Sequence, residues 1–454
     1  MRYVVVGSGP AGISAAEEIR KIDPVGPITM ITADPHPAYS PVMLTYWMSG
    51  RYPKERLFFR DIGPWATDHQ VDLRCGEKVT AIDVHLQVAT LSPGEVIAYD
   101  RLLIAAGAVP LIPPIPGIRA KGVCTFRTFA DAEEILTSRR DLEQVCIMGG
   151  GFIGIKLACY LRERSLSVLV VEKEPRLASR IFDQRASDIV KEHLRKHGLS
   201  VETGAGIMEI SNRDGWVSGV RLEDGRIFPA QILVVAVGVR PNTSFVEAPI
   251  AATGGGIPVD ERMETSVPHV YAAGDVATTR DSLTSSPFSN AIWPAATRQG
   301  RVAGANMAGR RRAYVHNFSL NALNLYGLQV ASAGHSLEQE GDDIRIFQEE
   351  KGNEYRKIIL KSGVLIGFIL TGDTSRAGLF LSRMKRGDII GNPAELFTRI
   401  CHAPSGLPPH MGFRHGSLWP RCYDVVSDGE KNDSSIHLLR GVRSSKSFCQ
   451  VNRS

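Results

Sequence analysis

No cysteine lies between Met1 and Arg74. A thiolate or disulfide therefore cannot do redox chemistry anywhere in that N-terminal stretch. Long apolar runs are missing as well. Nothing approaches the ~20 residues that a membrane helix needs, and the longest candidate, Ile232 to Val239, reads as a buried strand. Met1 is followed at once by a strand pattern, Arg2 to Val6, which leaves no room for a signal or transit peptide. The chain has only seven cysteines, at irregular spacing, so no disulfide framework is expected and a reducing cytoplasm is. Cys75, Cys124, Cys146 and Cys159 read as small buried residues. Charge is sparing too. The net charge is +5, and residues 399–454 hold eight Lys/Arg against four Asp/Glu. Neither a basic stripe nor an RNA-binding signature is present, so no nucleic-acid partner is expected. Cys401, His402, His410, His415, Cys422, His437 and Cys449 of this tail match no compact metal-finger spacing. The tail reads as flexible, and no metal is expected.

The 454 residues, 43% of them hydrophobic, are enough for two or three soluble domains. The first informative stretch is RYVVVGSGPAGISAAEEIRK. An apolar strand, Tyr3 to Val6, runs into Gly7-x-Gly9-x-x-Gly12, and a helix pattern follows from Ile13 to Lys21. The three glycines do different things. Gly7 makes the tight turn, Gly9 lets backbone approach a pyrophosphate, and Gly12 lets helix and strand pack closely. The helix start then turns its free N–H groups and positive dipole end toward phosphate.

The same arrangement recurs in QVCIMGGGFIGIKLACYL. A strand, Val145 to Met148, feeds Gly149-x-Gly151-x-x-Gly154 and a second helix. The next strand, Ser167 to Val171, ends at Glu172, about 20 residues past the glycines. A carboxylate there accepts from a ribose 2′-OH and repels a 2′-phosphate, which favours NADH over NADPH. The first unit ends differently. Its second strand, Ile28 to Ile31, stops at Thr32, and Asp34 is the nearest acidic substitute; a turn residue before Pro35 is the other reading. A third element, VPHVYAAGDVA, sets Gly274-Asp275 after a short apolar strand. An Asp in that place can hold a ribitol hydroxyl.

On these residues the chain resembles the pyridine-nucleotide:disulfide oxidoreductase superfamily of two-dinucleotide flavoproteins, over roughly residues 1 to 395. RLLIAAGAVPLIPPIPG (101–117) is similar to the segment leaving the FAD domain, and AVGVRPN (236–242) to the return crossing. The resemblance implies an α/β fold with two Rossmann-like domains and a small α+β C-terminal domain. Its divisions are a split FAD domain (1–117 and 242–312), an inserted NADH domain (118–241), a C-terminal domain (313–398) and the tail (399–454). FAD is expected at Gly7, Gly9, Ala11 and Gly12, with Asp34 and Val79 toward its adenosine and Ala106 and Gly107 near the flavin. Gly274 and Asp275 are expected at the ribitol, and Ser40 and Trp293 beside the ring. NADH is expected at Gly149, Gly151, Phe152, Ile153, Gly154, Glu172 and Gly238. Trp293-Pro294 opens the helix pattern AATRQGRVAGANM, whose positive end is suited to the flavin's pyrimidine edge.

Within the superfamily, TADPHPAYSPVML (32–44) and GFILTGDTSRAGLFLSRMKRGDIIG (367–391) resemble NADH-dependent rubredoxin and ferredoxin reductases and the flavin part of NADH nitrite reductases. The chain departs from the disulfide reductases in lacking their Cys-x4-Cys pair. It also carries Lys156 where many relatives have Glu. Lys156 is the one catalytic candidate, a positive charge expected near the flavin. Electrons must then leave directly from FAD. The expected acceptor is a small acidic carrier of rubredoxin or ferredoxin type, steered by a basic face. Candidate faces are Arg51, Lys54, Arg56 and Arg60, or Arg376, Arg383, Lys385 and Arg386. Three other readings stay open: a peroxide-forming NADH oxidase, the flavin subunit of a larger reductase such as nitrite reductase, and a redox-sensing flavoprotein. No membrane association is expected, and the protein is read as a monomer or homodimer.

Overall fold

The computed structural model describes residues 1–138, 141–247, 249–250, 255–337 and 341–397. The expectations for the 399–454 tail, including its cysteines and histidines, lie outside these residues. Eight α-helices occur among them: α1 (Pro10–Ile22), α2 (Leu44–Met48), α3 (Ile62–Asp68), α4 (Phe129–Thr137), α5 (Phe152–Glu163), α6 (Gln184–Lys196), α7 (Trp293–Met307) and α8 (Ala377–Arg386). None is long and apolar enough to cross a membrane.

Two five-stranded parallel sheets form the centre. The first runs Val270–Ala272, Arg101–Ile104, Tyr3–Val6, Ile28–Thr32, Val71–Cys75. Tyr3–Val6 is a wholly buried apolar run with a parallel neighbour on each side, as a strand covered on both faces must be. The second runs Ser200–Thr203, Ser167–Glu172, Gln144–Met148, Ile232–Val235, Val123–Thr125. Val270–Ala272 thus completes the first sheet after the chain has built the second. Two expectations need correcting. The Ile232–Val239 run is a buried strand only as far as Val235; Val237 is exposed, and Val239–Pro241 pairs antiparallel with Ala108–Pro110. Cys75 is exposed, because it ends the edge strand Val71–Cys75, whereas Cys124, Cys146 and Cys159 are buried.

Helices α1 and α7 lie unusually close. A Cβ added at Gly300 would sit 2.1 Å from the Ala11 carbonyl oxygen, and one at Gly304 would sit 2.4 Å from that of Ala15. Glycine at this four-residue spacing removes the side-chain ridge that otherwise keeps helix axes about 8–10 Å apart.

The C-terminal sheet is antiparallel, in the order Leu320–Leu325, Leu328–Gly334, Val364–Thr371, Glu354–Lys361, Ile344–Lys351, with Phe380 of α8 edge-on to Phe368 at 5.3 Å. Its first hairpin turns through Tyr326 and Gly327, both at positive φ (49° and 92°), as a two-residue hairpin requires. This sheet is bolted to the second nucleotide unit. The Tyr326 hydroxyl donates to the Cys159 carbonyl at 2.6 Å. Asp183 caps α6 by accepting from the Ala186 N–H at 3.0 Å, and its other oxygen accepts from the Tyr355 hydroxyl at 2.6 Å and the Lys357 ammonium at 3.0 Å. Lys357 is fully buried, so Asp183 is its necessary counter-charge. Lys357→Met should therefore cost about 3–5 kcal/mol, read as a lower urea midpoint. An unchanged midpoint would show that the pair does not join the two parts.

Candidate active site

The two glycine motifs fold into near-copies of one cradle. In the first, Gly7 stands at φ +113°, and an added Cβ would lie 2.2 Å from the Ala105 carbonyl oxygen and 3.3 Å from the Ala106 nitrogen. A Cβ at Gly12 would lie 1.9 Å from the Gly7 oxygen, while Gly9 has nothing within 4 Å of that position. In the second, Gly149 stands at φ +114° with its Cβ position 2.4 Å from the Ala236 oxygen. The Cβ position of Gly154 is 2.0 Å from the Gly149 oxygen, and Gly151 again faces open space. Two glycines of each motif are thus required by packing and one by an open face. That open face, beside a helix start with uncapped N–H groups at Gly9 and Gly151, fits a pyrophosphate.

Around the first cradle the structure gathers Ala11, Ala106, Gly107, Gly274 and Asp275. The Gly274 N–H donates to the Gln299 side chain of α7 at 2.8 Å, and its Cβ position is 3.3 Å from the Ala11 Cβ. Asp275 is ion-paired with Arg127 at 2.7 Å, and the same guanidinium lies 3.6 Å from the Cβ position of Gly107. Trp293, half-buried in the first turn of α7, meets the Phe59 ring edge-on at 4.8 Å. Val79 points into the first core and lies in register with Leu91 of the neighbouring antiparallel strand. Asp34 is already engaged: one oxygen accepts from the His36 N–H at 2.8 Å and the other from the Tyr39 hydroxyl at 2.9 Å. Ser40 is half-buried, and its N–H donates to the Leu57 carbonyl.

Around the second cradle lie Glu172, Gly238 and the first turn of α5. One Glu172 oxygen accepts from the Gly150 N–H at 2.6 Å and the other from the Glu174 N–H at 2.8 Å, so the carboxylate is fixed at the strand end. Ile153 is exposed at the cradle's mouth, whereas Phe152 packs against Phe182, with ring centroids 5.3 Å apart. Gly238 stands at φ +125° just past the Ala236–Val237 backbone that Gly149 touches.

Lys156 lies between the two units. Its ammonium is 4.2 Å from the ring centroid of Tyr46 on α2, and burial lowers its pKa. Among the described residues no carboxylate pairs with it. Leu44 and Met48 of α2 are buried, and Trp47 packs against Phe129 at 4.9 Å, so the cysteine-free segment is filled by apolar and aromatic side chains.

The sequence reading missed Arg127, Gln299 and Tyr46. Arg127 precedes the Thr128-x-x-Asp131 capping box that starts α4, a local pattern that marks its place but not its partner Asp275. There Asp131 accepts from the Arg127 N–H at 2.7 Å and holds the residue at the strand end. Both expected basic faces need correction, because most of their charges are already matched. Arg51 pairs with Glu163, Lys54 with Glu133 and Arg60 with Glu17, while Arg383 and Arg386 share Asp388. Arg376 donates to the Glu395 and Leu396 carbonyls.

Comparison with known proteins agrees with this geometry. The family described as pyridine nucleotide-disulphide oxidoreductase matches residues 1–300, and the rubredoxin NAD+ reductase C-terminal domain matches residues 320–388. The chain is 34% identical to the NADH-dependent phenylglyoxylate dehydrogenase subunit epsilon of Aromatoleum evansii, over 81% of this chain and 87% of that one. It is 31% identical to a nitrite reductase [NAD(P)H] of Bacillus subtilis over 86% of this chain, yet spans only 48% of that protein. The crystal structure of NADH:rubredoxin oxidoreductase from Clostridium acetobutylicum shares the fold, with a TM-score of 0.73 at 24% identity over 87% of this chain and 98% of that one.

If the Arg127–Asp275 pair shapes the first site, Arg127→Gln should weaken FAD retention about tenfold, on the order of 1.4 kcal/mol. Fluorescence of released flavin during dialysis reads this directly, and retention equal to wild type would remove Arg127 from the site.

Proposed function

The chain belongs to the pyridine nucleotide-disulphide oxidoreductase family, and on that premise we propose an NADH-dependent flavoenzyme that delivers electrons to a small acidic iron–sulfur protein of rubredoxin or ferredoxin type. The carrying observation is the joint presence of two complete dinucleotide cradles and a flavin-side segment, residues 36–50, with no cysteine. Bound FAD supplies a hydride acceptor that can release electrons singly, which side chains cannot do.

The chain's own residues bind, orient and set charge. Gly7, Gly9, Ala11 and Gly12 take the FAD pyrophosphate, and Asp275, held by Arg127, takes the ribitol. Trp293 and Ser40 border the ring, with Ala106 and Gly107 as nearby backbone and Val79 toward the adenosine. Asp34 accepts from the His36 N–H and the Tyr39 hydroxyl, holds the turn that carries Tyr39, and like Glu172 keeps a lone pair on each oxygen for a ribose hydroxyl. Gly149, Gly151, Gly154, Phe152, Ile153 and Gly238 form the NADH side. Glu172, fixed by the Gly150 and Glu174 N–H groups, keeps lone pairs for a ribose 2′-OH and repels a 2′-phosphate.

Lys156 acts through charge. A half-buried ammonium facing a tyrosine ring and no carboxylate puts uncompensated positive charge between α2 and α5, and this favours electron-rich forms of a neighbouring flavin. Lys156→Glu should lower the flavin midpoint potential and slow its reduction by NADH, with NADH affinity nearly unchanged. A potential equal to wild type by spectroelectrochemical titration would end this role.

A second reading, the flavin-carrying subunit of a larger reductase, draws support from the Aromatoleum relative, which is itself named as a subunit. Anaerobic NADH oxidation by the FAD-loaded protein, with and without rubredoxin, separates the readings. Rapid rubredoxin reduction is expected. One stoichiometric bleaching of flavin without turnover excludes rubredoxin as acceptor and favours a subunit or sensor. Peroxide formed in air as fast as NADH is lost identifies an oxidase.

A further inference from the structure

Several arginines and lysines of the described residues make no ion pair, and a few of them lie together. On α7, Arg298 donates to the carbonyl oxygens of Val315 (3.5 Å) and His316 (3.3 Å) and to the Tyr314 hydroxyl (3.5 Å), and its guanidinium lies 5.2 Å from the Tyr314 ring centroid. These are neutral partners. Lys385, exposed near the end of α8, has no ion pair among the described residues and stands close enough to feel Arg298: desolvation first, then the Arg298 charge, lowers its pKa. His316 is pushed down by desolvation, then by Lys385 and Arg298. It is exposed and held at φ 56°, a backbone conformation that non-glycine residues seldom adopt. Arg301, three residues after Arg298 and so on the same helix face, is exposed as well. Beside these groups Val315 presents a 56% exposed side chain. The chain thus gathers like charges from two helices around an apolar spot and leaves them unmatched.

We propose that Arg298, Arg301, His316 and Lys385, with Val315 among them, form the docking face for the acidic iron–sulfur carrier. The inference rests on the carrier-reductase reading and gives it a surface. Charge complementarity names the occupant. Unmatched cations on a folded protein repel one another, and an acidic partner relieves that repulsion while steering encounter. Position supports the same occupant. Arg298 and Arg301 lie on the helix that begins at Trp293, about 7.5 and 12 Å along its axis at ~1.5 Å per residue. A carrier seated there is therefore close to the end of α7 that borders the flavin site. The patch is small, as weak electron-transfer encounters are. Its Tyr314 ring is buried, so it offers no stacking platform of the kind a single-stranded nucleic-acid site uses.

The test uses the full-length FAD-loaded enzyme with rubredoxin as carrier and a neutral dye as second acceptor, under anaerobic conditions. The Arg298→Glu/Lys385→Glu pair should raise the KM for rubredoxin at least about tenfold and flatten its salt dependence, while NADH-dependent dye reduction stays as in wild type. Arg298→Gln/Lys385→Gln, which neutralises without reversing charge, should give a smaller rise in the same direction and guards against misfolding of the reversed pair. If wild type reduces rubredoxin and the neutral pair leaves KM and salt slope unchanged, the docking face is wrong and the carrier reading stands. If wild type reduces no acidic carrier, both fall together.

Discussion

The contact on which the site depends is the backbone-to-backbone approach of α1 and α7. Gly300 and Gly304 leave no room for a side chain against the carbonyl oxygens of Ala11 and Ala15. That contact fixes more than two helices. It sets Gln299 where it can accept from the Gly274 N–H, and Gly274 in turn places Asp275 beside Arg127. It also sets the direction of α7, whose first residue is Trp293. Elements from the start of the chain and from beyond residue 270 are thereby locked to one another, although a whole parallel sheet is built between them in sequence. A larger residue at 300 would have to move a helix, since the atoms it meets are backbone and cannot rotate away.

The two cradles show how one physical solution serves twice. Gly7 and Gly149 have nearly the same φ, +113° and +114°, and meet the same kind of atom, a carbonyl oxygen at the neighbouring strand's exit. The cradles part at the end of the next strand. Glu172 holds its place through two backbone N–H groups and remains an acceptor. In the first unit that place is taken by buried Thr32, and the acidic residue stands two positions later, where Asp34 accepts from the His36 N–H and the Tyr39 hydroxyl. The glycine geometry is therefore common to both cradles, and they differ at the strand ends beyond it.

The same division explains how much was legible in the sequence. The strand–glycine–helix units, Glu172 at its strand end and the helix opening at Trp293 are local patterns, and each stands where the pattern put it. The misses are non-local. Val239 reads as part of an apolar run, but the strand ends at Val235 because the chain must leave to pair with Ala108–Pro110. Cys75 reads as a small buried residue on a peripheral strand; the strand is indeed an edge, and its last residue is exposed there. Arg127 sits 148 residues from Asp275, a distance across which no spacing rule operates. The basic clusters at 51–60 and 376–386 are real in composition. Whether they are free to attract a partner depends on where carboxylates such as Glu17, Glu163 and Asp388 fall in space.

The absent cysteines then have a structural counterpart. In residues 36–50 the interior positions are taken by Leu44 and Met48, Trp47 stacks toward Phe129, and Tyr46 lies under Lys156. The segment is packed as a wall and as a support for one charge. A wall cannot store an electron pair between the two half-reactions, as a disulfide can. On the proposed carrier-reductase function, reducing equivalents that arrive as hydride leave from the flavin, and a one-electron acceptor visits twice for each NADH. Fast, reversible encounter suits such double visits better than tight binding. Encounter of that kind comes from long-range attraction by a few solvent-exposed cations around a small apolar contact, not from a broad hydrophobic interface. Unmatched charge at Arg298 on α7 and Lys385 on α8 has the form that this constraint demands.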